Sequence, residues 1–337
     1  MGKLKKLETI FEHDKNHFLP GETVVGKVVL ENAETFQVKG IRVKFKGRAE
    51  VTMFVGDYDT QKERYFSKDV VLLGHLPKEE GPLVEIPPGL HEYPFKVRLP
   101  SHLPNSFHCD GDENGSVVYF VEAIVHRPGK FSYSRRQEFI IHTVLDLNEL
   151  PVARQAVENE GEKAVASLVC NSGTISAFIS LPREGYVPGE AMSISGRVTN
   201  SSKRNIKRSF VVLEQVATLK VYGSAVTRTA RICKGCERGS VPPGGTDQWS
   251  ELPMEVPDVP PTYLRDCQLI DVRYVLKLIV VPSGLCSNLQ VPVEVIIGTV
   301  AVRDSPQQDF KGTQEIRMVK IDENEEGSND FEYGTPL

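Results

Sequence analysis

The 337-residue chain lacks the features that mark membrane spans, secretion and most enzyme chemistry. No apolar run approaches the ~20 residues needed to cross a bilayer. Met1-Gly2-Lys3-Leu4-Lys5-Lys6-Leu7 carries charge but no apolar core or cleavage site, so it does not read as a secretory signal. Lys6 stands where a myristoylation motif needs Ser or Thr. The six cysteines (109, 170, 233, 236, 267, 286) then read as reduced thiols of a cytosolic protein, and the sequons at Asn114 and Asn200 meet no glycosylation machinery. The chain holds no Gly-x-Ser-x-Gly elbow, no His-Glu-x-x-His and no phosphate-binding glycine loop. His102, His108 and Cys109 share only a loop, so no catalytic site and no cofactor are expected. Nucleic acid is a poor partner as well. The net charge is −5, and no aromatic residues interleave with the basic clusters.

What is present is a repeat. Pro20-Gly21-Glu22 opens one strand pattern and Pro188-Gly189-Glu190 another, with Phe18 and Tyr186 two residues upstream. Ile86-Pro87-Pro88-Gly89 is echoed by Val241-Pro242-Pro243-Gly244, and Val117–Val125 by Val272–Val280. The first echo sits at an offset of 168 and the others at 155, as an insertion in the first half would produce. A period this long implies two similar domains in tandem rather than a solenoid.

Strand patterns dominate both halves. Ile41-Arg42-Val43-Lys44-Phe45-Lys46-Gly47-Arg48 alternates apolar and basic with the period of a half-buried strand. Thr23–Leu30, Phe95–Leu99, Phe139–Val144, Thr174–Leu181, Ser209–Val221 and Leu289–Ile297 continue the pattern, punctuated by Pro and Gly. Only Glu149–Val165 could hold a helical turn or two. Short strands with Pro/Gly turns argue for antiparallel β-sandwiches. The expected organisation is sandwiches at 1–148 and 167–303, a polar linker at 149–166 and a disordered tail at 304–337. That tail holds nine acidic and three basic residues, so the body before it is near neutral.

At this point the residues resemble a family. Phe18-x-Pro20-Gly21-Glu22, Val38–Gly47 and Leu99–Phe107 are similar to the first domain of the alpha-arrestins. Asp146-Leu147-Asn148 resembles that domain's end, and Gly173–Ser176 with Gly185–Glu190 the start of the second. Cys267–Leu276 and Val291–Thr299 resemble its last strands. The resemblance covers about residues 7 to 302. It implies an all-β protein of two tandem arrestin-like antiparallel sandwiches, immunoglobulin-like in architecture, acting as a non-enzymatic adaptor. Such adaptors hold a transmembrane receptor or transporter as cargo and link it to a WW-domain HECT-type ubiquitin ligase and endocytosis. The implied place is the cytoplasm, with recruitment to the plasma membrane or endosomes. Alpha-arrestins meet those ligases through Pro-Pro-x-Tyr motifs in a long tail, whereas this tail ends Tyr333-Gly334-Thr335-Pro336-Leu337 without one. An arrestin-fold scaffold that recruits no such ligase therefore stands beside the ligase-linked reading.

Five constellations are candidates for chemistry or binding. Pro260-Pro261-Thr262-Tyr263 matches a WW ligand, yet it aligns with the Pro-rich loop 100–107 of the first copy and reads as structural there. Arg42, Lys44, Lys46 and Arg48 place four cations on one strand face, either solvated or steering acidic cargo or an anionic membrane surface. Lys203, Arg204, Lys207 and Arg208 form a second cluster, expected in a loop. Asp110–Gly115 copies the start of an EF-hand loop, but its twelfth place is Val121, so it reads as a turn into a strand. Cys233-Lys234-Gly235-Cys236 has no second ligand pair for zinc and reads as a hairpin tip.

Overall fold

The computed structural model describes residues 4–54, 56–76, 78–166, 171–284 and 286–303; the expected acidic tail and Cys170 lie outside the described residues. The first half forms β1 (Leu4–Phe11), β2 (His17–Phe18), β3 (Thr23–Asn32), β4 (Phe36–Val38), β5 (Gly40–Phe54) and β6 (Tyr58–Gly74). It continues with β7 (Val84–Ile86), β8 (Gly89–Arg98), β9 (Phe107–Cys109), β10 (Asn114–His126) and β11 (Tyr133–Ile141). Next come β12 (Val157–Ala166), β13 (Asn171–Leu181), β14 (Gly185–Tyr186), β15 (Ala191–Asn200) and β16 (Ile206–Val221). The chain closes with β17 (Ser224–Arg238), β18 (Thr246–Glu255), β19 (Ile270–Pro282) and β20 (Leu289–Ile297).

These strands make two sandwiches. In the first, β1-β3-β8 faces β2-β11-β10-β5-β6, with β9 beside β10. In the second, β12-β13-β15-β18 faces β14-β20-β19-β16-β17. Among the described residues the strands pair antiparallel except at the short β2–β11 and β14–β20 contacts, which are parallel, as is the isolated Asp146–Val300 bridge. Inward residues of the long strands, such as Val43, Phe45 and Ala49 of β5 or Leu276, Leu278 and Val280 of β19, are buried, as the period-two pattern dictates.

The repeated words have repeated physics. Gly21 and Gly189 take φ of 80° and 81°, which only glycine adopts freely, so each Pro-Gly pair turns the chain as a type II turn. The following glutamate closes it. Glu22 accepts the Leu19 N–H at 2.9 Å and Glu190 the Val187 N–H at 3.1 Å, and each carboxylate also pairs with a cation seven residues upstream, Lys15 or Arg183. Asn32 and Asn200 are likewise twins. Their buried amides donate to the carbonyls of Pro87 (2.8 Å) and Val241 (2.9 Å). Asn200 is thus sealed inside, out of reach of modification.

The offset changes between β6 and β8. There the first copy carries a loop and β7, which pairs with β4, while the second copy has a single Ile206–Val241 bridge in that place.

The segment 149–166 is not simply a linker. It turns twice as 3-10 helix, at Leu147–Glu149 and Pro151–Arg154, and from Val157 it is β12, an edge strand antiparallel to β13. Its sequence Val-Glu-Asn-Glu-Gly-Glu-Lys shows no alternation because little of it is buried. β13 corresponds to β1 of the first copy, whose outer edge bears no strand among the described residues.

The two sandwiches share one continuous apolar core. At the seam, a Cβ on Gly115 would lie 2.6 Å from Leu219 Cδ2 and 3.2 Å from Ile270 Cδ1, so a side chain there would have to push both aside. Polar contacts surround it. Arg228 Nη1 pairs with Glu113 Oε2 at 2.9 Å, Tyr222 N donates to Gln61 at 2.8 Å, and Gln268 N donates to Glu63 at 2.9 Å.

Candidate partner-binding surfaces

The four cations of β5 do share one face, but none is free. Arg42 Nη1 sits 2.8 Å from Asp69, Lys44 3.8 Å from the same carboxylate, Lys46 3.9 Å from Glu122 and Arg48 3.1 Å from Glu50. β6 and β10 supply Asp69 and Glu122, and β5 itself supplies Glu50, so the stripe is one sign of a mixed-charge face. Phe120 is buried in that face between Lys46 and Arg136, whose guanidinium carbon lies 3.7 Å from the ring centroid. A partner therefore meets a charge lattice already neutralised in part rather than a bare basic stripe.

The second cluster divides. Lys203 and Arg204 lie in a loop as expected, whereas Lys207 and Arg208 fall in the first residues of β16, both exposed between buried Ile206 and Ser209 where the register shifts against β19. Arg208 pairs with Glu237 at 3.0 Å, and Arg204 reaches the Ser283 carbonyl at 3.5 Å. Lys203 and Lys207 are exposed, with no ion pair among the described residues.

Pro260–Tyr263 is built into the second sandwich. Thr262 exchanges two bonds with Ile297, its N–H to the carbonyl and its hydroxyl from the amide, both 2.8 Å. Ser106 makes the same two bonds with Ile141 in the first copy at 2.9 Å. Tyr263 sits at φ 63°, with its N–H bonded to Val272. A WW domain takes a free, extended left-handed helix, and this segment is neither.

The remaining candidates serve the fold. Asp110–Gly115 is a turn into β10, and its Glu113 is spent on Arg228. Cys233-Lys234-Gly235-Cys236 is not a hairpin tip but lies inside edge strand β17, where register shifts near Val212 and Glu214 absorb extra residues. Cysteines 109, 233, 236, 267 and 286 are unpaired, and the described residues hold no cluster of three or more metal-ligating groups. His108 and Cys109 belong to β9, and His108 faces Asp110 at 2.8 Å. Burial pushes the thiol of Cys267 up, and it lies against Tyr65 across the seam.

Sequence reasoning missed one surface. A groove of about 600 Å³ runs along the seam, walled by Phe107, Phe139 and Ile140 of the first sandwich and by Gln215 and Pro260 of the second. Its signal is tertiary, because its walls come from β9, β11, β16 and the loop before β19.

This architecture matches two models in order. Residues 7–148 match the arrestin (or S-antigen) N-terminal domain, and residues 171–302 the arrestin C-terminal domain. The chain belongs to the alpha-arrestin family. It is 31% identical over 313 residues to arrestin domain-containing protein 4 of Mus musculus, covering 89% of this chain and 73% of that protein. It is 28% identical over 315 residues to arrestin domain-containing protein 17 of Caenorhabditis elegans, covering 89% and 72%. Thioredoxin-interacting protein of Pongo abelii is 25% identical over 328 residues, covering 96% and 81%. Arrestin-family proteins are generally non-enzymatic adaptors in trafficking, and this alpha-arrestin is an adaptor of that fold. No helix among its described residues is long and apolar enough to cross a membrane.

Proposed function

We propose that the protein holds cytoplasmic segments of transmembrane receptors or transporters and passes them to ubiquitination and endocytic sorting, without catalysing a reaction. The observation that carries this reading is the fused seam. One core joins both sandwiches, and an open groove of about 600 Å³ lies along their seam, a shape suited to an extended peptide rather than to a reacting small molecule. Its place would be the cytoplasm, with peripheral recruitment to the plasma membrane or endosomes through the unpaired Lys203 and Lys207.

A second reading has its own support. The sole Pro-Pro-x-Tyr is tied into the sandwich at Thr262 and Tyr263, so an adaptor of this kind would sort cargo without docking a WW-domain ligase there. Two measurements separate the readings. Proximity labelling from the intact protein in cells should enrich membrane proteins with cytoplasmic tails; a profile free of them sinks the cargo reading. Capture by isolated WW domains of HECT-type ligases, unchanged by Tyr263→Ala, would show that any ligase link uses another surface.

A further inference from the structure

The two copies differ at one end. In the second sandwich the intervening segment docks against the β14–β20 end, where Leu145, Leu147 and Ala153 are buried with Ile296, and Leu150 and Val187 pack alongside. Two glycines admit it. A Cβ on Gly185 would meet Ala153 Cβ at 2.6 Å, and one on Gly298 would meet Leu147 Cγ at 2.5 Å. Asp146 and Val300 form a parallel bridge, and the Thr299 hydroxyl accepts the Leu145 N–H at 2.9 Å.

The first sandwich has the same frame. Ile140 N donates to Asn16 O and His142 N to Phe18 O, as Ile296 N donates to Glu184 O and Gly298 N to Tyr186 O. That register places Leu19, Ile140 and Val144 opposite Val187, Ile296 and Val300, and Thr143 opposite Thr299. Yet the described chain covers nothing here. Leu19, Ile140 and Val144 are 48%, 36% and 56% exposed, whereas of their twins Ile296 is 3% exposed and Val187 and Val300 are part-buried. A lone exposed apolar side chain needs no explanation, but three on a face whose twin is covered make a binding patch. Where the second copy has its two glycines, His17 and His142 stand edge to edge, Nδ1 to Nε2 2.7 Å apart with rings 5° from parallel.

We infer that this end of the first sandwich is a docking site for a short turn of a partner protein bearing leucines three residues apart, presented as Leu147 and Leu150 are in the covered twin. The molecule itself supplies the template for the occupant. The imidazoles fill the floor that the glycines leave open, so the bound turn rides higher than its twin does. Ile140 also lines the seam groove, which makes the two surfaces continuous. The inference rests on the adaptor reading only in taking the occupant to be protein.

A fluorescein-labelled peptide of residues 145–155, titrated against the purified full chain by anisotropy, tests it. Saturable binding is expected. Ile140→Asp with Val144→Asp should weaken it at least tenfold; both positions are solvent-facing, and circular dichroism checks the fold. Leucine-to-aspartate changes in the peptide should do the same. His17→Gly with His142→Gly, which recreates the open floor, should tighten binding. Absence of binding to both the native and the glycine chain overturns the inference, and binding to the glycine chain alone overturns it for the native protein. Binding indifferent to Ile140→Asp and Val144→Asp also overturns it, because the peptide would then be exchanging with the covered twin. Failure here leaves cargo labelling in cells untouched, so the two readings fall separately.

Discussion

Tyr119 and Tyr274, 155 positions apart, make the same bond: each donates its hydroxyl hydrogen over 2.7 Å to a proline carbonyl, Pro104 and Pro260. Burial pushes both phenols well above their usual range, so both remain neutral donors. Tyr119→Phe should destabilise the protein by about 1–2 kcal/mol, since it leaves a carbonyl without its donor. Tyr274→Phe should lose more, because Gln215 also donates to that hydroxyl at 2.9 Å. Urea midpoints of the two variants decide it; equal midpoints would place no weight on Gln215.

The seam predicts one cooperative unfolding unit. Because a single core crosses both sandwiches, calorimetry of the native chain should show one transition. Gly115→Leu forces a side chain into Leu219 and Ile270 and should destabilise by about 1–3 kcal/mol. Arg228→Ala, which removes a half-exposed ion pair with Glu113, should change stability by under about 1 kcal/mol. Two well-separated transitions in the native chain would refute the shared core.

Equivalent positions should respond unequally. A methyl on Gly298 would lie 2.9 Å from the Leu145 carbonyl oxygen and closer still to Leu147, so Gly298→Ala should destabilise by about 1–3 kcal/mol. His142→Ala, at the same register in the first copy, should cost less, about 1 kcal/mol or under, because its exposed ring gives up only the bond to His17. Thermal melts of the pair provide the comparison.

Mild acid should weaken the fold in two steps. Burial, followed by the facing His17, holds the His142 pKa below the usual imidazole range, with Asp258 opposing. The folded state thus binds that proton less readily than the unfolded one, and its contribution fades as pH falls through the imidazole range. Although burial raises it, Glu22 is lowered on balance by the bonds from Lys15 and the Leu19 N–H, so its contribution fades only at carboxylate pH. Glu22→Gln should flatten the lower step and leave the upper one. A stability profile from about pH 2 to pH 8 in which neither variant, Glu22→Gln below the usual carboxylate range or His142→Gln in the imidazole range, changes the slope would contradict this.

The central strands were legible because they are half-buried on a period of two. Ile41–Arg48 proved to be part of β5 and Leu289–Ile297 is β20 itself. Edge strands β6, β12 and β17 were not, since their outward residues are polar on both sides and erase the alternation. The turn words Pro-Gly-Glu carried their chemistry locally, in a glycine φ and a glutamate three residues on, so the repeat could be read directly. The cations of β5 could be read as a face but not as pairs, because Asp69 and Glu122 reach them from other strands. The groove and the uncovered end at Ile140 needed the register of two copies laid side by side.

β12 has a further consequence. The second sandwich completes its sheet with a strand spun from the tether behind the first, so the two modules are not interchangeable. The rear half inherits its outermost ribbon from the segment that leaves the front half. Cut that segment from the rear half and its hem is unroofed.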